Sequence, residues 1–201
     1  MAKYVLSNDG QDGGVATLEG PGHGKSLDHG GLYIRAFCVS DRLPPIASIV
    51  DWAAAREVPL AVESAEPYGP NAKVWDELVL RDQRKREMIR LSCSRDDGSD
   101  DCLMRSEVDW FIKRIGPALI HPGKHRVLGH LRSTRLIVAT RMADSAAYDP
   151  SSLRGGLMGY LAQRGKGLVQ ADGQGFFDKG KLVLRLGRKK RKLQDQVREI
   201  R

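Results

Sequence analysis

Two carboxylates, Asp172 and Asp178, flank a glycine-rich segment in the sequence GLVQADGQGFFD. Two neighbouring carboxylates can act as general acid and general base, and they can also hold a metal ion. Aspartate and glycine are equally typical of tight turns, because both tolerate the left-handed backbone conformation that such turns need. The sequence therefore favours a turn at this position, with a catalytic pair as the alternative.

Three histidines, His121, His125 and His130, fall within one ten-residue segment. Imidazole nitrogens at such a spacing could bind zinc or another transition metal. Pro122 and Gly123 argue against a helix that would bring His121 and His125 to one face, and the segment contains no cysteine or carboxylate. We therefore expect three surface-loop histidines, no metal centre and no cofactor.

Two segments resemble ligand-binding loops but lack the spacing that the ligand needs. The segment GPGHGKS at residues 20–26 ends like a phosphate-binding loop, whose first glycine would fall at position 19, where the chain has Glu19. The acidic segment at residues 94–101 does not have the order of carboxylates found in a calcium-binding loop. The sequence predicts a flexible glycine loop in the first case and a solvated surface turn in the second.

Two clusters of consecutive cations stand out from the rest of the sequence. The first is near the C-terminus, and the second is in a predicted loop between two strands. Their members are Arg188, Lys189, Lys190, Arg191 and Lys192 in the first cluster, and Arg84, Lys85 and Arg86 in the second. Such clusters attract anionic partners, so we expect an acidic protein surface or a nucleic acid to bind here. A solvated terminus without a partner is the alternative for the first cluster.

The composition is that of a globular protein with an excess of positive charge. Of 201 residues, 41% are hydrophobic and 29% are charged, and the formal net charge is +8. The cysteines, three in number and without CxxC spacing, favour a reducing compartment over a disulfide framework. The first residues lack the apolar segment of a signal peptide, and no apolar run is long enough to cross a membrane. We expect a soluble, cytoplasmic protein without a membrane partner.

The candidate residues must be positioned by strands and helices that hydrophobic periodicity predicts. Runs typical of strands occur at 32–39, 58–62, 74–80, 87–93, 135–141, 168–171 and 182–186. Helical stripes of apolar residues follow Pro45, Ser106 and Ser152. Three glycines weaken the last helix, and we expect them to allow a close approach of its backbone to a sheet; they are Gly155, Gly156 and Gly159.

The order of these elements predicts an α+β fold with a mixed, largely antiparallel sheet and about three helices in a single domain. Hairpins follow one another directly, whereas a parallel sheet would need a crossover helix after nearly every strand. We expect a core at residues 31–186, preceded by a glycine-rich N-terminal extension at 1–30 and followed by a basic C-terminal tail at 187–201. Residues 167–186 would form the hairpin that closes the core.

Within this core, several short motifs resemble a type of uncharacterised bacterial α+β protein. They are LYIRAF from Leu32, the strand around Trp75, the helix at 108–115, RLIVATR at 135–141 and, above all, GLVQADGQGFFD at 167–178. The resemblance covers residues 32–186 and implies the fold alone. It implies no established activity, cofactor or site residue.

No complete catalytic set is evident, so the leading hypothesis is a non-catalytic cytosolic interaction protein, regulatory or immunity-like, that binds a macromolecular partner. The first alternative is a nucleic-acid-associated protein that uses the basic tail and the loop at 81–86. The second is a hydrolase with Asp172, Asp178 and a loop histidine in a cleft. That hydrolase requires the carboxylates and the histidine to converge on one reacting centre.

Overall fold

A computed structural model describes residues 32–67, 74–99, 101–116, 121–142 and 147–186. The described chain forms eight strands and four helices. The strands are β1 (Tyr33–Cys38), β2 (Leu60–Glu66), β3 (Glu77–Asp82), β4 (Met88–Arg95), β5 (Leu136–Arg141), β6 (Leu168–Ala171), β7 (Gly175–Asp178) and β8 (Lys181–Arg185). The helices are α1 (Ile46–Ala54), α2 (Leu103–Ile115), α3 (Pro122–Arg132) and α4 (Leu153–Arg164). The glycine-rich extension and the basic tail lie outside the described residues.

All eight strands belong to one sheet, in the order β2-β3-β4-β5-β1-β6-β7-β8. Every pair of neighbouring strands is antiparallel. The strand that comes first in the sequence lies in the middle, with β5 on one side and β6 on the other. The predicted α+β class and the largely antiparallel sheet are therefore confirmed.

The apolar residues on both sides of β1 are explained by helices on both faces of the sheet. Ile34, Ala36 and Cys38 belong to the core on the first face, which α1 and α4 cover. Phe37 belongs to the core on the second face, where α2 and α3 pack. Because successive side chains of a strand alternate in direction, each position of β1 serves one of the two cores.

The glycines of α4 approach a loop. A Cβ atom on Gly155 would lie 2.0 Å from the carbonyl oxygen of Asp149, and one on Gly156 would lie 3.2 Å from that of Pro150. For Gly159 the nearest atom is the Tyr148 hydroxyl, at 3.9 Å. The atoms nearest to these glycines belong to the loop and not to the sheet, although α4 does pack against β1 and β6. The helix N-terminus instead folds back closely on residues 148–150, with Ser152 as its cap.

Three further expectations about elements are wrong. Pro122 does not break a helix but occupies the first turn of α3, where its missing N–H has no helical partner. The helix predicted from Ser106 begins at Leu103, without a capping side chain. The segment at 167–186 is a three-stranded meander, because the short strand β7 lies between β6 and β8.

Within the described ranges, no helix has both the length and the apolar character needed to cross a bilayer.

Candidate functional site

Asp172 belongs to an ion-pair network on the second face of the sheet. Its Oδ1 atom accepts a hydrogen bond from Arg35 Nη1 at 2.8 Å, and its Oδ2 atom accepts one from the backbone N–H of Tyr33 at 3.0 Å. Arg35 also pairs with Glu107 of α2 and donates to Gln170 of β6 at 3.1 Å. The network therefore ties together β1, the end of β6 and α2.

Arg35 remains charged although it is largely buried. Burial by itself would lower the pKa of Arg35, since it removes the guanidinium from water. The neighbouring carboxylates of Glu107 and Asp172 outweigh this effect and raise the pKa above its ordinary value. A buried charge that is paired and hydrogen-bonded in this way anchors the local structure.

Asp178 lies at the other end of the same meander. Ala171 pairs with Gly175, and Val169 pairs with Phe177, so β6 and β7 separate the two carboxylates. Asp172 directly follows the C-terminal end of β6, whereas Asp178 lies beside the first residues of β6. At 3.3 Å per strand residue, these two positions along β6 are about 13 Å apart. Asp178 pairs with Arg126 of α3. The structure does not bring the two carboxylates together.

Asp178 and His130 line one cleft of about 760 Å³. Its walls come from α3 and α4, and the loop before α4 and the turn between β7 and β8 border it. The Nε2 atom of His130 lies 2.8 Å from the carbonyl oxygen of Phe37, and Ser133 Oγ donates to the carbonyl oxygen of His130 at 2.9 Å. His130 and Ser133 are thus engaged in hydrogen bonds within the protein, and Asp178 is engaged in an ion pair with Arg126.

The three histidines do not converge. His121 caps α3, where its Nδ1 atom accepts a hydrogen bond from the backbone N–H of Gly123 at 3.0 Å. His125 is exposed on α3, and His130 lies on the same helix against β1. The expectation of loop histidines is therefore wrong for His125 and His130. The reason is the unpredicted helix α3.

The acidic turn before α2 presents one cluster of potential metal ligands. Ligand atoms of Asp96, Asp97 and Cys102 lie within 4.8 Å of one another, and none of the described histidines belongs to this group. Hydrogen bonds from Arg105 and from the backbone of Gly98 lower the pKa of Asp96. Asp97 accepts hydrogen bonds from Ser99. The carboxylates thus fold the turn, as the sequence predicts.

A cationic, solvent-exposed area forms on the second face of the sheet, beyond α2 and α3. We call it the open sheet surface and define it by Arg81, Met88, Arg90 and Arg141, all of them exposed. The register pairs Arg81 with Met88, and Leu91 with Thr140. If the antiparallel register of β4 and β5 is continued by one residue beyond Leu91 and Thr140, Arg90 lies beside Arg141.

Arg90 and Arg141 differ from the other arginines of this face. Arg81 pairs with Glu63 at 2.8 Å, and Arg35 has its two carboxylates. Neither Arg90 nor Arg141 has a carboxylate partner within 4.0 Å among the residues that the structure describes. They are an adjacent pair of cations without a counter-charge in this part of the chain.

The predicted basic loop adjoins the open sheet surface. Arg84, Lys85 and Arg86 are exposed in the turn between β3 and β4, directly between Arg81 and Met88 in the chain. Asp82 holds the turn, since its Oδ1 atom accepts hydrogen bonds from the backbone N–H groups of Arg84 and Lys85. The predicted cationic cluster at residues 188–192 and the glycine loop at 20–26 lie outside the described residues.

Several residues of these sites were not predicted from the sequence. Arg126 lies on α3, which the hydrophobic pattern of the sequence did not predict, so its ion pair with Asp178 was not predicted either. Arg90 and Arg141 come from β4 and β5, which are distant in the chain; the Thr140 hydroxyl donates to the carbonyl oxygen of Arg90 across 50 residues. The alternation of Ile89, Arg90 and Leu91 did indicate that Arg90 points away from the first core.

Comparisons with protein-family models, with curated proteins and with solved structures find no match. The resemblance of residues 32–186 to an uncharacterised bacterial family stays a prediction.

Proposed function

We propose that this chain is a non-catalytic binding protein that recognises an acidic surface of a partner protein through the open sheet surface. The observation that carries the proposal is the pair Arg90 and Arg141. Like charges side by side on neighbouring strands destabilise a sheet. An acidic partner would remove this repulsion by placing carboxylates against both guanidinium groups, which can each bind a carboxylate through two hydrogen bonds.

The composition of the surface favours a protein over a nucleic acid. Arginine, methionine and aromatic residues are enriched at protein interfaces, and Met88 is 45% exposed between the arginines. Sheets that bind single-stranded nucleic acids instead stack bases on exposed aromatic rings. The nearest aromatic residue on this face, Tyr33, is half-buried with the Arg35 guanidinium 5.2 Å from its ring centre.

A nucleic-acid partner is the second candidate, and the exposed loop of Arg84, Lys85 and Arg86 favours it. Three adjacent cations beside the open sheet surface could follow a phosphate backbone, and the predicted tail cluster at 188–192 would add to them. The hydrolase hypothesis loses its pair of carboxylates, because Asp172 and Asp178 occupy opposite ends of the meander.

We also propose a cytoplasmic location. Its support is that Cys38, Cys93 and Cys102 are all free thiols. Free cysteines are typical of a reducing compartment.

The test is photo-crosslinking in the native host from a photoreactive residue at position 88, followed by mass spectrometry of the adducts. We expect adducts with an acidic protein that disappear when Arg90→Glu and Arg141→Glu are introduced together. The matched control carries Arg42→Glu and Arg132→Glu, which remove two exposed cations elsewhere on the described surface. Because both variants change the net charge equally, the control should retain the adducts.

Two outcomes would contradict the protein-partner proposal. Adducts that nuclease digestion removes would favour the nucleic-acid candidate, and binding of that partner should weaken steeply with salt. Adducts that persist in the Arg90→Glu, Arg141→Glu variant would show that these arginines do not determine binding.

A further inference from the structure

We propose that the cleft between α3 and α4 binds a small organic anion that carries phosphate or carboxylate groups. This site is separate from the open sheet surface, since none of the four residues that define that surface lines the cleft. The cleft volume of about 760 Å³ falls within the range of roughly 300–1,000 Å³ that is typical of small-molecule sites.

The charge of the cleft selects an anion. Four permanent cations line it, and Asp178 is the one carboxylate among the described lining residues. The cations are Arg56, Arg126, Lys166 and Lys179. Asp178 is already paired with Arg126, so three formal positive charges in the cleft lack a counter-charge among these residues. A phosphate or carboxylate ligand would supply it.

The cleft also offers a partly apolar wall and neutral donors. Phe177 packs against Tyr148, with ring centres 4.7 Å apart, and both residues line the cleft. The Tyr148 hydroxyl lies beside Gly159, 3.9 Å from the position that a Cβ atom on Gly159 would take. A ligand with an organic body and an anionic group matches this combination better than an inorganic ion does.

Gly129 supports the proposal because the fold does not require it. Gly155 must be glycine, since a Cβ atom there would lie 2.0 Å from the Asp149 carbonyl oxygen. A Cβ atom on Gly129, in the interior of α3, would meet no atom within 4 Å. Glycine is unfavourable inside a helix, and Gly129 lines the cleft. What this glycine provides is open space in the cleft.

The experiment is a titration of the ¹⁵N-labelled full chain with ADP, pyrophosphate and citrate, followed through amide chemical shifts. We expect shifts centred on Gly129, Lys166 and Gly180. Gly129→Leu places a large side chain in the cleft from a position where a Cβ atom would meet no atom within 4 Å, and Arg126→Ala removes a cation. Each should weaken binding by about tenfold or more, because the leucine imposes a clash and the loss of Arg126 leaves Asp178 as an unpaired carboxylate that repels an anion.

The matched controls are Arg132→Leu and Arg132→Ala, at an exposed position of the same helix outside the described cleft lining. Both controls should bind as the unchanged chain does, and thermal denaturation verifies that every variant is folded. A preference for ADP and pyrophosphate identifies a phosphate site, and a preference for citrate identifies a carboxylate site.

The proposal is overturned if none of the three probes binds at millimolar concentration. It is also overturned if Gly129→Leu and Arg126→Ala both bind as tightly as the unchanged chain, or if the shifts centre on the open sheet surface and vanish with Arg90→Glu and Arg141→Glu.

Discussion

Arg35 has only 12% of its side chain exposed, yet it holds two carboxylates from different parts of the chain. A paired buried charge adds little net stability compared with an apolar core, but it is costly to break. Glu107 and Asp172 both pair with this single guanidinium, which offsets the repulsion between their two negative charges. The turn after β6 and the first turns of α2 are therefore linked through one residue.

Replacing this residue tests the link. Arg35→Ala should lower the free energy of unfolding by about 3–5 kcal/mol, because it leaves two partly buried carboxylates without their arginine. Urea denaturation measures the change. Arg81→Ala is the control, since the exposed pair of Arg81 and Glu63 should contribute less than about 1 kcal/mol. Equal losses in the two variants would contradict a structural role for the network.

The buried thiol of Cys38 should make the free energy of unfolding depend on pH in the alkaline range. Burial raises the pKa of Cys38 to about 12, while a thiol in an unfolded chain titrates near 8.5. The folded state thus keeps the proton longer than the unfolded state does. Its contribution is complete below about pH 8.5 and is lost as the pH rises towards 12, by up to about 1.4 kcal/mol per pH unit.

We therefore expect the urea concentration at the midpoint of unfolding to decrease as the pH is raised from 8 to 10. Cys38→Ala should reduce the steepness of this fall, whatever its effect on stability at pH 7. The same slope in both proteins would show that the Cys38 thiol does not contribute to the pH dependence.

At the scale of elements, α3 shows that a proline and a glycine expected to break a helix can instead mark its beginning. Proline is unfavourable inside a helix but suits its first turn, and His121 supplies the cap that such a start needs. From the sequence alone, Pro122 and Gly123 indicated a break. Gly123 is in fact required, because a Cβ atom there would lie 2.1 Å from the carbonyl oxygen of Val183 in β8.

Glycines of α3 and α4 should respond to alanine with opposite signs. Gly129→Ala should stabilise the protein by about 0.5–1 kcal/mol, because alanine is the better helix former and the site is open. Gly155→Ala should destabilise it by about 1–3 kcal/mol or more, because the new methyl group would displace the Asp149 carbonyl. Thermal denaturation of both variants decides the matter, and a shared sign would refute the assigned contacts.

At the scale of the whole molecule, the two cores share one sheet. Ile49 of α1 is buried on the first face and Phe111 of α2 on the second, and alternate residues of β1 contact both cores. Since a change on either face is transmitted through the same strand, the described region should unfold in one cooperative step.

Two large-to-small replacements test this cooperativity. Ile49→Ala should lower stability by about 2–5 kcal/mol, and Phe111→Ala by about 3–5 kcal/mol. In each variant the urea transitions followed by far-ultraviolet circular dichroism and by tryptophan fluorescence should coincide. An early loss of helical signal in Phe111→Ala alone would mean that the second face unfolds independently.

The sequence predicted the class of fold because local patterns determine it: alternation along β4, apolar stripes along α1 and α4, and hairpin turns. It failed where the meaning of a residue depends on distant partners. The strand β7 is only four residues long, and its adjacent phenylalanines serve different cores. The pairing that sets Arg90 beside Arg141, and the ion pair between Arg126 and Asp178, arise only after the chain has folded.

The central position of β1 has a consequence for how this chain is made. The ribosome synthesises β1 before every other strand, but its neighbours β5 and β6 come much later, and Asp172 is 137 residues beyond its partner Arg35. During that interval both edges of an apolar strand lack their hydrogen-bond partners. The middle of the sheet is completed only when β6 has been made, so the nascent chain must be protected from aggregation until most of the described region has emerged.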